Sequence, residues 1–248
     1  MRGSKPLLAG FFAFIVVSGG CVQPPNALEE SAGDGVKNVS FSTSDHVVIG
    51  ATLFEPLTPT GKSVVLIPMM GHTRSTFNVF AQRLQEKGFR VLALDVRGHG
   101  ESTQGDGKKI SYQSFSSAQW NDAVKDIQAG QDFLKAQKVF VVGASIGANL
   151  AALYAGQNPE RVQGLVLLSP GLDYKGVQPK PALESFEGPV LVMASMEDAY
   201  SFDSSGELEA SAAGPHAFVQ LKNVGHGTNL FVANPDLMNT VIDWLEKN

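Results

Sequence analysis

Ser145 stands in Gly143-Ala144-Ser145-Ile146-Gly147, a G-x-S-x-G stretch that directly follows an apolar run and directly precedes a helical pattern. A serine placed there sits on a sharp strand-to-helix turn that pushes its hydroxyl out above a sheet. The two glycines have a steric task, because side chains at 143 and 147 would meet the neighbouring strand or helix. The following helix aims its first amides and the positive end of its dipole at the same point. An acyl-transfer intermediate needs such a field for its oxyanion.

A serine hydroxyl is a poor nucleophile until a base takes its proton. Five histidines are on offer: His46, His72, His99, His216 and His226. His226 lies in Val224-Gly225-His226-Gly227, a glycine-flanked loop after the last strand pattern, and only that position suits the chain order nucleophile, acid, base. His72 and His99 sit in turns after earlier strands and read as hydrogen-bonding turn residues. The base in turn needs a carboxylate to hold its tautomer. Asp198 follows the run Val190 to Met193 and lies between serine and histidine, so it is the expected partner. Asp173 is the alternative, and the adjacent Glu197 is expected to point elsewhere.

These residues must be held by elements, and the chain alternates them. Val36 to Ser42 and Val47 to Phe54 read as paired strands. Further strands are expected at Ser63 to Ile67, Val91 to Leu94, Val139 to Val142, Leu165 to Leu168, Val190 to Met193 and Phe218 to Leu221. Helical spacing marks Phe77 to Lys87, Ala118 to Leu134, Ile146 to Ala155 and Asp236 to Glu246. Strand and helix in alternation call for an α/β fold with a mostly parallel sheet, helices on both faces, and function at the carboxyl ends of the strands.

Composition agrees with an ordinary globular domain: 248 residues, 43% apolar and 17% charged. The net charge is −5 and there is no Lys/Arg-rich run, which argues against a nucleic-acid partner. A single cysteine, Cys21, permits neither an intramolecular disulfide nor a cysteine-based zinc site. No metal or organic cofactor is expected.

Taken in order, the turn after the third strand, Asp95-x-Arg97-Gly98-His99-Gly100-x-Ser102, the elbow at Ser145, and the Asp198 and His226 loops make the chain resemble the α/β-hydrolase superfamily over roughly residues 45–247. The Arg-Gly-His-Gly turn resembles the monoacylglycerol-lipase and serine-aminopeptidase-like branch. The resemblance implies an eight-stranded sheet with an antiparallel edge formed by its first strands. It also implies an oxyanion hole built from the backbone amides of Ile146 and Met70. Relatives usually carry His-Gly where this chain has Pro68-Met69, but a backbone donor does not depend on side-chain type. Many relatives insert a lid domain after the sixth strand. Here that link is only Ser169 to Gly188, too short for one, so an open site is expected, with Tyr174, Phe186, Met69 and Met70 as apolar lining. The implied function is a serine hydrolase acting on a small acyl ester through a Ser145-Asp198-His226 triad and an acyl-enzyme. An amidase, peptidase or acyltransferase on the same triad and a non-catalytic envelope protein are the alternatives.

The first twenty residues read as an export signal: Arg2 and Lys5, then an apolar stretch from Pro6 to Val17 that is shorter than the about 20 residues needed to span a bilayer. Cys21 follows Ser18-Gly19-Gly20 and resembles the lipid-modified cysteine of bacterial lipoproteins. Residues 21–35 read as a tether, and 36–248 as the hydrolase domain. The expectation is a domain held to a bacterial envelope membrane by an N-terminal lipid, with Val22 a pointer to the outer membrane.

Overall fold

The computed structural model describes residues 35–248, together with Met1; the expected signal, Cys21 and all of the tether except Gly35 lie outside the described residues. Eight strands of five or more residues form one sheet: β1 (Val36–Ser42), β2 (Val47–Phe54), β3 (Ser63–Ile67), β4 (Arg90–Leu94), β5 (Val139–Ala144), β6 (Val162–Leu168), β7 (Val190–Ser195) and β8 (His216–Leu221). Their order is β1-β2-β4-β3-β5-β6-β7-β8, and a two-residue ladder at Gln104–Gly105 and Lys108–Lys109 extends the sheet beside β2. β1 and β2 are antiparallel to their neighbours, and the six strands from β4 to β8 run parallel. This is the expected mostly parallel sheet with an antiparallel edge.

Both faces of the central strands are dry. Along β3, Val65 and Ile67 belong to one apolar cluster while Val64 and Leu66 belong to the other. Side chains alternate across a strand, so a continuous apolar run is what a strand covered on both sides requires. The first cluster is covered by helices α2 (Ser117–Asn121), α3 (Val124–Leu134) and α4 (Ile146–Gln157), following α1 (Asn78–Glu86) in the chain. The second is covered by α1 through Phe80, Ala81 and Leu84, and by α8 through Leu237, Val241, Ile242 and Leu245. That last helix, α8, is Asp236–Lys247; α5 (Lys180–Leu183), α6 (Ala199–Ser211) and α7 (Asn229–Ala233) precede it.

Three departures from the periodicity have physical causes. The single helix expected over Ala118 to Leu134 is broken at Asp122 and Ala123. Its two halves answer to different anchors: Trp120 of α2 packs against His99, while Asp126 of α3 is held by Arg97. The sequence reading assigned no element to α6, because its buried face is Ser201, Ser204, Ser205 and Leu208 and shows no apolar stripe. Phe186 does not line a site; it is 1% exposed and belongs to the core. The link Ser169–Gly188 holds only the four-residue α5, so there is no sizeable lid. Among the described residues no helix is long and apolar enough to cross a membrane.

Candidate active site

The elbow at Ser145 is strained and sterically determined. Its backbone has φ 55° and ψ −123°, and its N–H donates to Leu168 O at 2.8 Å, which ties the turn to β6. A non-glycine residue in that region costs on the order of 1–3 kcal/mol and persists only where surrounding structure over-determines it. A Cβ on Gly143 would stand 2.2 Å from Gly147 O, and one on Gly147 would stand 2.5 Å from Ile67 O and 2.6 Å from Pro68 O. The glycines therefore let α4 start directly against the ends of β5 and β3. The same closeness brings the turn after β3 to the first turn of α4.

That turn is held from below by the Asp95–Ser102 segment. His99 is buried, its Nδ1 pairs with Arg97 O at 3.1 Å, and Gly71 N–H donates to its Nε2 at 3.0 Å. These two bonds define a neutral tautomer, and burial lowers the pKa of His99, which favours that form. Tyr112 stacks on the ring at 4.0 Å. His99 thus fixes Gly71, the neighbour of Met70, from a position remote in sequence. Asp95 accepts from Arg74 N at 2.8 Å and pairs with its guanidinium; Ser102 Oγ donates to Asp95 O and accepts from Gly50 N. Arg97, 5% exposed, pairs with Asp126 and Asp45. Burial pushes Asp126 up to about 6, against the pull of Arg97. The turn is architectural, as the sequence reading held.

Asp198 follows strand β7 by three residues and stands at the start of α6, and His226 follows β8. Parallel pairing of these two strands brings both loops to one end of the sheet. Asp198 Oδ2 accepts from His226 Nδ1 at 2.6 Å. Asp173 is not at the histidine: its carboxylate accepts from Gly176 N and Gln178 Nε2 within its own turn. Glu197 points away from the imidazole and clamps its loop instead, accepting from Ser195 Oγ at 2.6 Å, Asn223 N at 2.7 Å and Gly225 N at 2.9 Å. The Ser195 hydroxyl and the loop amides hold its carboxyl down at about 2. No sequence pattern separates this role from that of its neighbour Asp198; only the closed loop does.

His226 is brought over the elbow by Gly227. The Gly227 N–H donates to Ser169 Oγ at 2.9 Å, and a Cβ there would meet Met69 Sδ at 2.8 Å and the Ala144 Cβ at 3.6 Å. Ala144 precedes Ser145, so the base and the serine belong to adjoining backbone. Among the described residues no hydrogen bond yet joins Ser145 Oγ to the imidazole, and the Tyr174 ring stands edge-on to that imidazole with centroids 6.3 Å apart. Such contacts are commonly loose without substrate. Among the described residues neither the Ile146 nor the Met70 amide donates to a protein acceptor. Met69 is 6% exposed and packs in the core, whereas Met70 is 40% exposed. Among the described residues no group of His, Cys, Asp and Glu side chains could hold a metal ion. A groove of 570 Å³ between Lys62, Arg90, Lys135 and Lys138 lies at the opposite, amino-terminal end of the strands, away from this chemistry.

Comparison with known proteins points the same way. The model of the family described as serine aminopeptidase, S33, matches residues 58–207. An uncharacterized protein of Mycobacterium tuberculosis is 31% identical over 111 residues, which is 45% of this chain and 30% of that protein. The epoxide hydrolase B of the same species is 32% identical over 90 residues, 36% of this chain and 23% of its own length. The chain thus spans less than a third of the length of either relative. Among solved structures, a serine hydrolase from Cycloclasticus zankles superposes with a TM-score of 0.72 at 14% identity, covering 86% of this chain and 98% of the other, and so shares the fold.

Proposed function

Because the chain belongs to the serine aminopeptidase (S33) family of α/β-hydrolases, we propose that it is a serine hydrolase of small carboxylic esters, with Ser145 as nucleophile, His226 as base and Asp198 as its orienting carboxylate. The observation that carries this reading is the 2.6 Å bond from His226 Nδ1 to Asp198 Oδ2, made in a loop packed on the residue next to a strained elbow serine.

The bond places the imidazole proton on Nδ1, because a carboxylate only accepts, and so leaves the Nε2 lone pair free for the serine proton. Ser145 Oγ attacks the acyl carbon as its proton passes to His226 Nε2. The oxyanion is held by the amides of Ile146 and Met70. Collapse breaks the bond to the alcohol, which leaves with the proton from His226. Water then repeats the sequence, its proton going to His226, and releases the acid and free Ser145.

An ester is favoured over an aminoacyl amide by the state of the flanking carboxylates. An aminopeptidase needs an acidic group for the substrate ammonium, yet Glu197 is taken up by loop amides and Asp173 by its own turn. The family description keeps the amide reading as the second one. Hydrolysis of 4-nitrophenyl acyl esters and of aminoacyl 4-nitroanilides, run side by side with Ser145→Ala as control, tests it. Ester turnover lost in the variant is expected; amide turnover in excess of ester turnover, or ester turnover kept by Ser145→Ala, contradicts the proposal.

For location, the pattern at residues 1–21 supports export and lipid attachment at Cys21. Detergent phase partition of the full chain against Cys21→Ser in a bacterial host is the test: the variant is expected to leave the detergent phase, and unchanged partition contradicts anchoring.

A further inference from the structure

The groove at the amino-terminal end of the sheet is lined by four cations, Lys62, Arg90, Lys135 and Lys138, with Phe140 among its apolar lining. Arg90 is held in place. Its Nε and Nη2 donate to Glu55 Oε1 at 2.8 and 2.6 Å, and its Nη1 donates to Leu134 O at 2.7 Å. Lys62 Nζ donates to Leu245 O at 3.0 Å and Glu246 O at 2.9 Å, and stands 5.7 Å from the centre of the Phe140 ring. Lys135 and Lys138 are exposed, and among the described residues neither has an ion pair. Two carboxyl groups touch lining residues, that of Glu55 on Arg90 and the Asn248 terminus on Gln163. The groove therefore stays net positive in a chain of net charge −5.

The chain enters the domain at this same end. Gly35 O accepts from Glu55 N at 2.8 Å, and the carboxylate of that glutamate is the one on Arg90. Gly35, Glu55 and Arg90 thus run in contact from chain entry to groove. Cys21 lies fourteen residues before Gly35, and fourteen peptide units reach at most about 50 Å however they run. A domain of this length is about 45 Å across. The end that carries Gly35 is therefore the one that a lipid on Cys21 holds nearest to a bilayer. Ser145 stands at the other end of the strand that Lys138 precedes. β5 carries the chain from Val139 to Ala144, and seven residues at about 3.3 Å each put Ser145 about 23 Å from Lys138.

Resting on the anchoring reading of Cys21, we propose that this groove is a membrane-docking face that seats the phosphate groups of anionic phospholipids. Docking there turns Ser145 and His226 away from the bilayer. A lysine ammonium meets a lipid phosphate as a point charge with three donors. Each lysine or arginine near an anionic surface favours the bound state by about fivefold. The ester that reaches Ser145 then arrives from the aqueous side and is not drawn from the bilayer to which the chain is attached.

The test is amine footprinting of the full chain on vesicles, at low salt so that screening is weak. The chain is mixed with vesicles of phosphatidylcholine alone or of phosphatidylcholine with phosphatidylglycerol and acetylated, and each lysine is read by peptide mass spectrometry. Lys135 and Lys138 are expected to react at least about fivefold more slowly on the anionic vesicles. Lys108 and Lys109 are expected to react equally on both, because their ladder pairs with Val47 and Val48 at the carboxyl end of the sheet. In the double variant Lys135→Glu, Lys138→Glu, Lys62 is expected to react equally on both vesicles, while turnover of a soluble 4-nitrophenyl ester stays that of the parent. Equal rates at Lys135 and Lys138 on the two vesicles overturn the proposal, as does slowing confined to Lys108 and Lys109. Flotation separates the proposal from the anchoring reading. A full chain that floats with anionic vesicles alone refutes the lipid anchor and supports the docking face; one that floats with neither overturns both.

Discussion

Replacing Asn149 by leucine should unfasten the loop above the serine without opening a void. The side chains share a skeleton branched at Cγ, so no cavity is left and the hydrogen bonds carry the main cost. Asn149 Nδ2 donates to Gly171 O and Val177 O, and its Oδ1 accepts from Gly171 N; these three bonds are lost, and Gly171 N and Gly171 O are left without them in a buried residue, while Val177 O keeps the Tyr174 N–H. A net 0.5–1.5 kcal/mol per bond, raised by each buried group left without a partner, gives roughly 3 kcal/mol once the loop relaxes towards water. For a domain of this size 1 kcal/mol moves Tm by about 2–4 °C, so Asn149→Leu should melt about 6–12 °C lower. Thermal unfolding followed by circular dichroism reads this directly. A Tm within about 2 °C of the parent would show that the clamp carries no stability, and the reasoning would fail.

Two further perturbations follow from the structure. Gly147→Ala drives a methyl group into two backbone carbonyls, Ile67 O at 2.5 Å and Pro68 O at 2.6 Å. A stability loss of about 1–3 kcal/mol is expected, with kcat/KM down about 100-fold because the elbow must shift; wild-type kinetics would contradict the steric role given to the glycine. For pH, burial alone would raise the pKa of Asp45, but hydrogen bonds from Arg97 and Thr43 and the charges of Arg97 and Lys125 bring it below the ordinary 3.8. The folded state therefore keeps Asp45 ionised where the unfolded chain has taken a proton, so this stabilisation is present above 3.8 and lost as pH falls further. Asp45→Asn should melt lower than the parent at pH 7, with the gap closing below pH 4; a gap that stays constant down to pH 2 would refute it.

Legibility in the sequence tracked how local the determining physics is. β3 was readable to its ends, because Ser63–Ile67 is an unbroken apolar run between polar turns. The β1–β2 pair and the elbow were readable for the same reason, since pairing across a short turn and turn chemistry are short-range, whereas the place of that pair at the sheet edge came from the family resemblance. α6 was not, since its buried serines carry no apolar period. Asp198 could be placed at the end of a strand, but the separate task of its neighbour Glu197 depends on loop amides 26 and 28 residues further along. Tyr174 was legible only as lining, because its edge-on approach to His226 depends on Asn149 fastening a loop that has no regular structure of its own.

The central claim is that Ser145 is a nucleophile activated by His226, and covalent labelling measures it most directly. The full chain is treated with an organophosphonate ester probe and the adduct located by peptide mass spectrometry, beside Ser145→Ala and His226→Ala. One adduct per chain is expected, on the peptide containing Ser145, absent in Ser145→Ala and formed at least about 100-fold more slowly in His226→Ala. An adduct on another residue, or equal labelling of Ser145→Ala, contradicts it.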